Sequence, residues 1–287
     1  MLTVTFGLLA ALGFGAADFF GGMATKRLHS IAVTGGVALV GLIVLATTSL
    51  LMSDQWSTES LLFGGLSGLT GIAAIGLLYA CLARGPMSIL SPTTAVLSAI
   101  VPMTWGIVTG VGLSPLAYPA LALVLIAVVL VGFVPDETAV KPTASALLMA
   151  IGSGLLIGGF YILIDLTPDD SGVTPLVANR LVQTLIVGII LALLLATKRL
   201  GSLQKAGATP LRSVWLMMIA GGVLDALSNV AVLAGFRLGN MAIVSVLTAL
   251  YPAGTIALAS IWLHERIKPI QWIGLVLALI ASGMLAL

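Results

Sequence analysis

Asp225 stands twelve residues into an apolar stretch of about 24 residues, with Ser228 and Asn229 following at i+3 and i+4. On a helix that spacing draws three polar groups into one stripe. A carboxylate there can hold an ammonium group or carry a proton, whereas its bland role is to be tied to an Arg or a hydrogen-bond donor and hold two helices together. The first reading is preferred, because an ionisable group at the centre of a bilayer costs about 2.5–3.5 kcal/mol on insertion scales and is retained for a reason. Asn179, Arg180 and Gln183 make a second stripe. A guanidinium fork suits a substrate carboxylate, but Arg180 lies near the end of its apolar stretch, and the preferred reading is that it snorkels to water. Asp18, within G-F-G-A-A-D-F-F-G-G (13–22), either lines the mouth of a cavity or pairs with Lys26 or Arg27, and the two readings stand level.

Pro92, Pro102 and Pro252 lie inside apolar stretches, where each removes a backbone hydrogen bond and frees a carbonyl. With Thr94, Ser98, Ser245 and Thr248 nearby, they offer uncharged polar partners at helices that bend or break. Tyr79, Trp105, Tyr161 and Tyr251 are the aromatics able to stack on an apolar solute, Tyr251 first among them, although a packed core is the commoner fate of any one. Trp56, Trp215 and Trp272 stand at stretch ends and read as interface anchors, as does Arg237. Asp165, Asp169 and Asp170 read as a solvated face rather than a metal site. His264-Glu265 lacks the second His of H-E-x-x-H, since position 268 is Lys268. There is no G-x-x-x-x-G-K-[ST] for a nucleotide, and no metal or cofactor is expected.

The elements that must position these groups follow from composition. Of 287 residues 60% are hydrophobic and 8% charged, against roughly 45–50% and about 25% in soluble domains. Apolar runs of spanning length fall at about 2–23, 31–52, 61–83, 87–111, 115–134, 144–166, 174–197, 213–236, 241–263 and 269–287. They are continuously apolar, as in LVLIAVVLVGFV (123–134), not alternating as barrel strands would be. The fold class expected is an all-α polytopic membrane protein with ten transmembrane helices. The 12 Lys and Arg nearly cancel the 10 Asp and Glu, and no basic cluster serves nucleic acid. Cys81 is the single cysteine, so no disulfide forms within the chain.

V-L-S-A-I-V-P (96–102) matches V-L-T-A-L-Y-P (246–252), and Pro119 and Pro269 obey the same offset of 150. Two five-helix halves follow, 1–143 and 144–287. Because five is odd they run oppositely through the bilayer, the inverted-repeat plan of many secondary transporters, with a midplane site between the halves. Ten of the twelve Lys and Arg fall in loops after odd-numbered helices, which places those loops in the cytoplasm and both termini outside. G-x-x-x-G spacings at Gly64/Gly68, Gly106/Gly110, Gly154/Gly158 and Gly235/Gly239 serve close packing, within one protomer or between two, so monomer and homodimer both stay open.

These halves and motifs resemble the drug/metabolite transporter superfamily, specifically its EamA-type ten-helix exporters. The likeness rests on 13–22, on G-N-M-A-I-V-S-V-L-T-A-L-Y-P (239–252), on L-H-E-R-I (263–267) with Glu265, and on Q-W-I-G (271–274) with Gly274. The first half departs, having Leu113-Ser114-Pro115 where the second has Leu263-His264-Glu265. The resemblance implies two EamA-like repeats and export of small organic metabolites, amino acids or toxic compounds. The resulting expectation is a secondary transporter of the cytoplasmic membrane, not an enzyme, exporting amino acids or related compounds by alternating access. Its partners are the solute, the lipid bilayer and a coupled proton. Asp225 takes the proton or cation step, Asn229, Arg180 and Gln183 touch the solute, and Thr94, Trp105 and Tyr251 shape the pocket. The rivals are an uncoupled facilitator in which Asp225 is structural, an intramembrane lipid-modifying enzyme built on the outer Asp cluster, and a scaffold.

Overall fold

The computed structural model describes residues 1–52, 54–82, 84, 87–110, 112–132, 142–197, 210–264 and 266–286. Among them the regular elements are helices: α1 (Leu2–Thr25), α2 (Ser30–Met52), α3 (Thr58–Leu82), α4 (Met87–Val108), α5 (Ala117–Gly132), α6 (Ala144–Asp165), α7 (Thr174–Ala196), α8 (Leu211–Leu238), α9 (Met241–Thr248), α10 (Tyr251–Trp262) and α11 (Pro269–Ala286). Counting α9 and α10 as one interrupted span, nine are long and apolar enough to cross a membrane by length and composition. The tenth, α5, has 16 described residues, about 24 Å at 1.5 Å per residue. All ten expected runs are therefore helical. A helix satisfies its own backbone, which is why this composition can leave water at all.

The packing is the reverse of a soluble bundle. Leu9, Leu12, Ile43, Leu185 and Ile189 face outward, whereas the buried set is rich in Ala and Gly. Lipid is as apolar as leucine, so large side chains gain nothing by burial, and small ones at the contacts let helices approach. Gly154 meets Leu97 and the Thr94 carbonyl of α4, and Gly7 meets Leu247 and the Val244 carbonyl of α9. Leu97 and Leu247, like Thr94 and Val244, stand at the offset of 150 read from the sequence, while the two glycines stand 147 apart. The partners exchange throughout: α1 lies on α8 as α6 lies on α3, α2 on α8 as α7 on α3, and α4 on α6 as α9 and α10 on α1. That is the pattern two copies of one five-helix unit produce.

Two expectations about breaks part company. α4 runs unbroken through Pro92 and Pro102. The ninth span is interrupted at Ala249 and Leu250, so that Pro252 stands in the first turn of α10, where a missing N–H costs nothing. Asn240 caps α9, its Oδ1 accepting from the N–H groups of Ala242 (2.8 Å) and Ile243 (3.4 Å).

Candidate functional site

A cavity of about 200 Å³ lies where the two sets of helices meet. α1 lends Phe14 and Asp18, and α3 lends Gly71, Ile75 and Leu78. Across from them stand Ile157, Phe160 and Tyr161 of α6, Arg180 and Gln183 of α7, Asp225 and Asn229 of α8, and Tyr251, the first residue of α10.

The charges are arranged unequally. Arg180 forms an ion pair with Asp225, with 9% and 19% of the two side chains exposed. Arg180 Nη1 also donates to Gln183 Oε1 (2.8 Å). Asn229 Nδ2 donates to the Asp225 carbonyl (2.8 Å) and lies 3.4 Å from its Oδ2. Arg180 thus does not snorkel to water; it is buried against the carboxylate one helix away. Asp18 is exposed to the cavity and makes no hydrogen bond or ion pair with any described residue.

Room for this cluster comes from glycines. A Cβ on Gly41 would meet Arg180 Nε at 3.4 Å, and one on Gly71 would meet Gln183 Nε2 at 2.9 Å. The helix registers explain why. Gly68 abuts the Asn179 carbonyl and Val182, just as Gly222 abuts the Val37 carbonyl and Val40. Carried one turn on, that register sets Gly71 against Gln183 of α7, and Gly41 beside the Gly222 carbonyl of α8 and the Arg180 side chain. The paired charges Arg180 and Asp225 come from α7 and α8, and the glycines beside Arg180 and Gln183 come from α2 and α3.

At the end of the bundle holding the α1 N-terminus, the connection from α6 to α7 is tied down. Val173 N–H donates to Asp54 Oδ2 (2.8 Å) and Thr174 Oγ1 to the Gln55 carbonyl (3.3 Å). Arg237 donates to the carbonyls of Gly172 (2.7 Å) and Pro168 (3.2 Å) and to Ser171 Oγ (2.8 Å). Gly172 has φ +56°, and the Asp54 carboxylate occupies the place of a Cβ there, so both strain and space demand glycine. Arg237 is accordingly a clasp on this loop rather than a lipid-interface anchor.

The model of the EamA-like transporter family matches residues 144–287. The chain belongs to that family. It is a multi-pass membrane protein of a transporter family. A solved crystal structure superposes on 98% of this EamA-like chain and 95% of its own, with a TM-score of 0.75 and 14% sequence identity, a likeness that speaks for the fold alone. Among curated proteins nothing matches.

The EamA-like motifs have structural tasks here. Gln271 accepts from Lys268 N–H (3.0 Å) and donates to the Val131 carbonyl (3.3 Å), and a Cβ on Gly274 would come within 2.8 Å of Val131 N. Both fasten α11 to α5. Glu265 lies outside the described residues. Of the residues singled out by type and spacing, the cavity gathers Asp18, Tyr161, Arg180, Gln183, Asp225, Asn229 and Tyr251. Others are turned to packing. Asn179 donates to Ser67 Oγ (2.8 Å), Thr94 to the Ala150 carbonyl (3.1 Å), and Ser98, Ser228 and Thr248 to carbonyls of their own helices. Trp105, 39% exposed, lies outside the cavity lining. The side chain of Tyr79 lies outside the described part of the chain.

Sequence reasoning missed Phe14, Phe160 and the small Gly71. Phe160 adjoins the named Tyr161, and Phe14 lies one turn before Asp18; a rule that followed each polar residue to its helical neighbours would have found both. Of the G-x-x-x-G pairs, Gly64 and Gly68 receive the α7 backbone at Pro175 and Asn179, whereas Gly110, at φ +86°, meets nothing within 4 Å.

Proposed function

We propose that this protein is a secondary transporter that moves small organic solutes, amino acids or related metabolites, out of the cytoplasm by alternating access and in exchange for protons. Its two units are 1–143 and 144–287. Its loops rich in Lys and Arg lie in the cytoplasm, and both termini lie outside. The carrying observation is the cavity between the two sets of helices, with the interrupted span ending on Tyr251 in its wall and two carboxylates, Asp18 and Asp225, facing it. Asp225 is engaged by Arg180, which favours a holding role for it and leaves Asp18 as the freer seat for a proton.

Counterflow of a labelled amino-acid panel into proteoliposomes, with and without an imposed pH gradient, tests the reading. Solute-specific exchange driven uphill by the gradient is expected. Exchange indifferent to pH would leave a facilitator, and no movement of any solute by a folded protein would remove the assignment.

In this orientation the tied loop between α6 and α7 is an outer seal, and it must loosen for release. Hydrogen bonds to a charged donor are worth about 1.5–3 kcal/mol each, so Arg237→Ala should raise the population open to the outside by about tenfold or more. In a Cys81→Ala background, a Val177→Cys reporter, buried at 6% exposure beneath the loop, should then react that much faster with an impermeant maleimide added outside. Equal rates with and without Arg237 would show that the loop is no seal.

A further inference from the structure

We propose that the end of the bundle opposite the α1 N-terminus carries a binding site for an anionic phospholipid, built where α1, α8 and α10 come to their ends. The proposal shares the orientation given above but neither the solute nor the coupling, so it stands or falls apart from transport.

The two ends of the bundle divide the charge. Outside the cavity the described carboxylates are Asp54, Glu59, Asp165, Asp169 and Asp170, and all lie at the end that holds the α1 N-terminus. The other end has Lys and Arg and, among the described residues, no carboxylate. Those cations are gathered to one side. Arg84 follows α3, whereas Lys26 and Arg27 close α1, Arg212 opens α8, and Arg266 and Lys268 follow α10.

Packing draws the three helix ends together. Ala24 and Leu28 share one apolar cluster with Val214 and Met217 of α8. Lys26 stands between the first two and Arg212 two residues before Val214, so both border that cluster. On the other flank of α1 the ring of Trp262, the last residue of α10, lies 6.5 Å from Phe19 and 6.1 Å from Phe20. Lys26, Arg212, Arg266 and Lys268 are exposed and in no ion pair among the described residues. In the sequence of these segments Glu265 is the one acid among the Lys and Arg.

The surroundings of these cations select their partner. Trp262 is exposed beside Phe20, as aromatics at headgroup depth are. Deeper in the bilayer α1 turns Leu9 and Leu12 outward to lipid. A soluble anion would use the cations and leave this apolar face unused, whereas a phospholipid uses both. A zwitterionic headgroup would bring its own ammonium among like charges, so the fit is to a lipid of net negative charge. Such lipids are held at the cytoplasmic leaflet by basic segments next to spanning helices.

The test is lipid binding by the purified full chain, stripped of lipid in a neutral detergent and counted by mass spectrometry of the intact complex. The probes are palmitoyl-oleoyl phosphatidylglycerol and the phosphatidylcholine with the same chains. A Lys or Arg at a membrane surface is worth about fivefold in affinity for an anionic lipid. The wild-type chain should therefore bind phosphatidylglycerol more than about tenfold tighter than phosphatidylcholine. Lys26→Gln with Arg212→Gln should weaken phosphatidylglycerol by about twentyfold and leave phosphatidylcholine unmoved. Arg212→Lys keeps the charge, and Arg84→Gln removes a cation of the same end outside the site; both should stay within about twofold of wild type. Should the double variant fail to fold, Arg212→Gln alone and the comparison of the two lipids still decide. Equal affinity for the two lipids, or a loss in Arg84→Gln as large as in the double variant, would overturn the proposal. So would displacement of phosphatidylglycerol by inorganic phosphate but not by sodium chloride of equal ionic strength, which would make the site one for a free anion. A chain that binds the lipid yet moves no solute removes transport and leaves the site, whereas transport by a chain without lipid preference removes the site alone.

Discussion

Replacing Arg180 by Ala is expected to destabilise the folded chain by about 3–5 kcal/mol, the range for stripping one partner from a buried ion pair. The loss has three parts. Asp225 keeps its charge with only the weak approach of Asn229 for compensation, Gln183 Oε1 loses its donor, and the space beside Gly41 is left empty. The single cysteine supplies a readout, since Cys81 is buried and becomes reactive toward a thiol dye as the helices separate. Arg180→Lys should fall between, because a single ammonium cannot serve Asp225 and Gln183 with the same fork geometry. Asp225→Leu added to Arg180→Ala should recover much of the loss, giving strong non-additivity. A fall below about 1 kcal/mol for Arg180→Ala would mean that water already screens the pair, as for surface bridges.

The second large effect concerns a single hydrogen atom. A Cβ on Gly15 would run into the Tyr251 carbonyl and come within 2.7 Å of both Gly254 Cα and Thr255 N. All of these are backbone atoms, so no side chain can rotate out of the way. Thr255 Oγ1 also donates to the Gly15 carbonyl (3.0 Å), clasping α1 to α10 at that point. Gly15→Ala must therefore push α10 away from α1 and displace Tyr251 in the cavity wall. It should cost about 1–3 kcal/mol or more, the range for overpacking, and transport should fall with it. Gly21, six residues on in the same helix, has nothing within 4 Å of its would-be Cβ. There the same change should be neutral or stabilising by up to about 1 kcal/mol, since Ala is the better helix former. Equal melting midpoints for the two variants would refute a backbone contact at Gly15.

Much of this molecule is legible before any coordinates. Ten continuous apolar stretches can only be helices, because lipid offers no partner for an open backbone group. The recurrence of V-L-S-A-I-V-P as V-L-T-A-L-Y-P foretold equivalent contacts, and Gly154 on Leu97 and Gly7 on Leu247 are such a pair. The intramembrane charges Asp18, Arg180 and Asp225 do line one cavity, but Arg180 is buried there against Asp225 and does not snorkel to water.

Type and spacing could not say which polar residue faces which neighbour. Ser228 and Asn229 share a stripe with Asp225, yet only Asn229 reaches the cavity while Ser228 turns to its own helix. Asn179 and Arg180 are adjacent, and one binds Ser67 on α3 while the other meets Asp225 on α8. A helix places successive residues about 100° apart, and the sequence does not reveal how the helix is rotated in the bundle. The same holds for Pro102 and Pro252, matched in the repeat but set in an unbroken α4 and at the start of α10.

Local chemistry determined that the chain must be helical and membrane-embedded, because those properties depend on hydropathy and covalent geometry alone. Only the tertiary structure decided that Arg180 neutralises Asp225 and that Asp18 is left to face the cavity alone. That outcome depends on the rotation and close approach of five helices, α1, α2, α3, α7 and α8, which in turn depend on where glycines such as Gly41 and Gly71 leave room for Arg180 and Gln183.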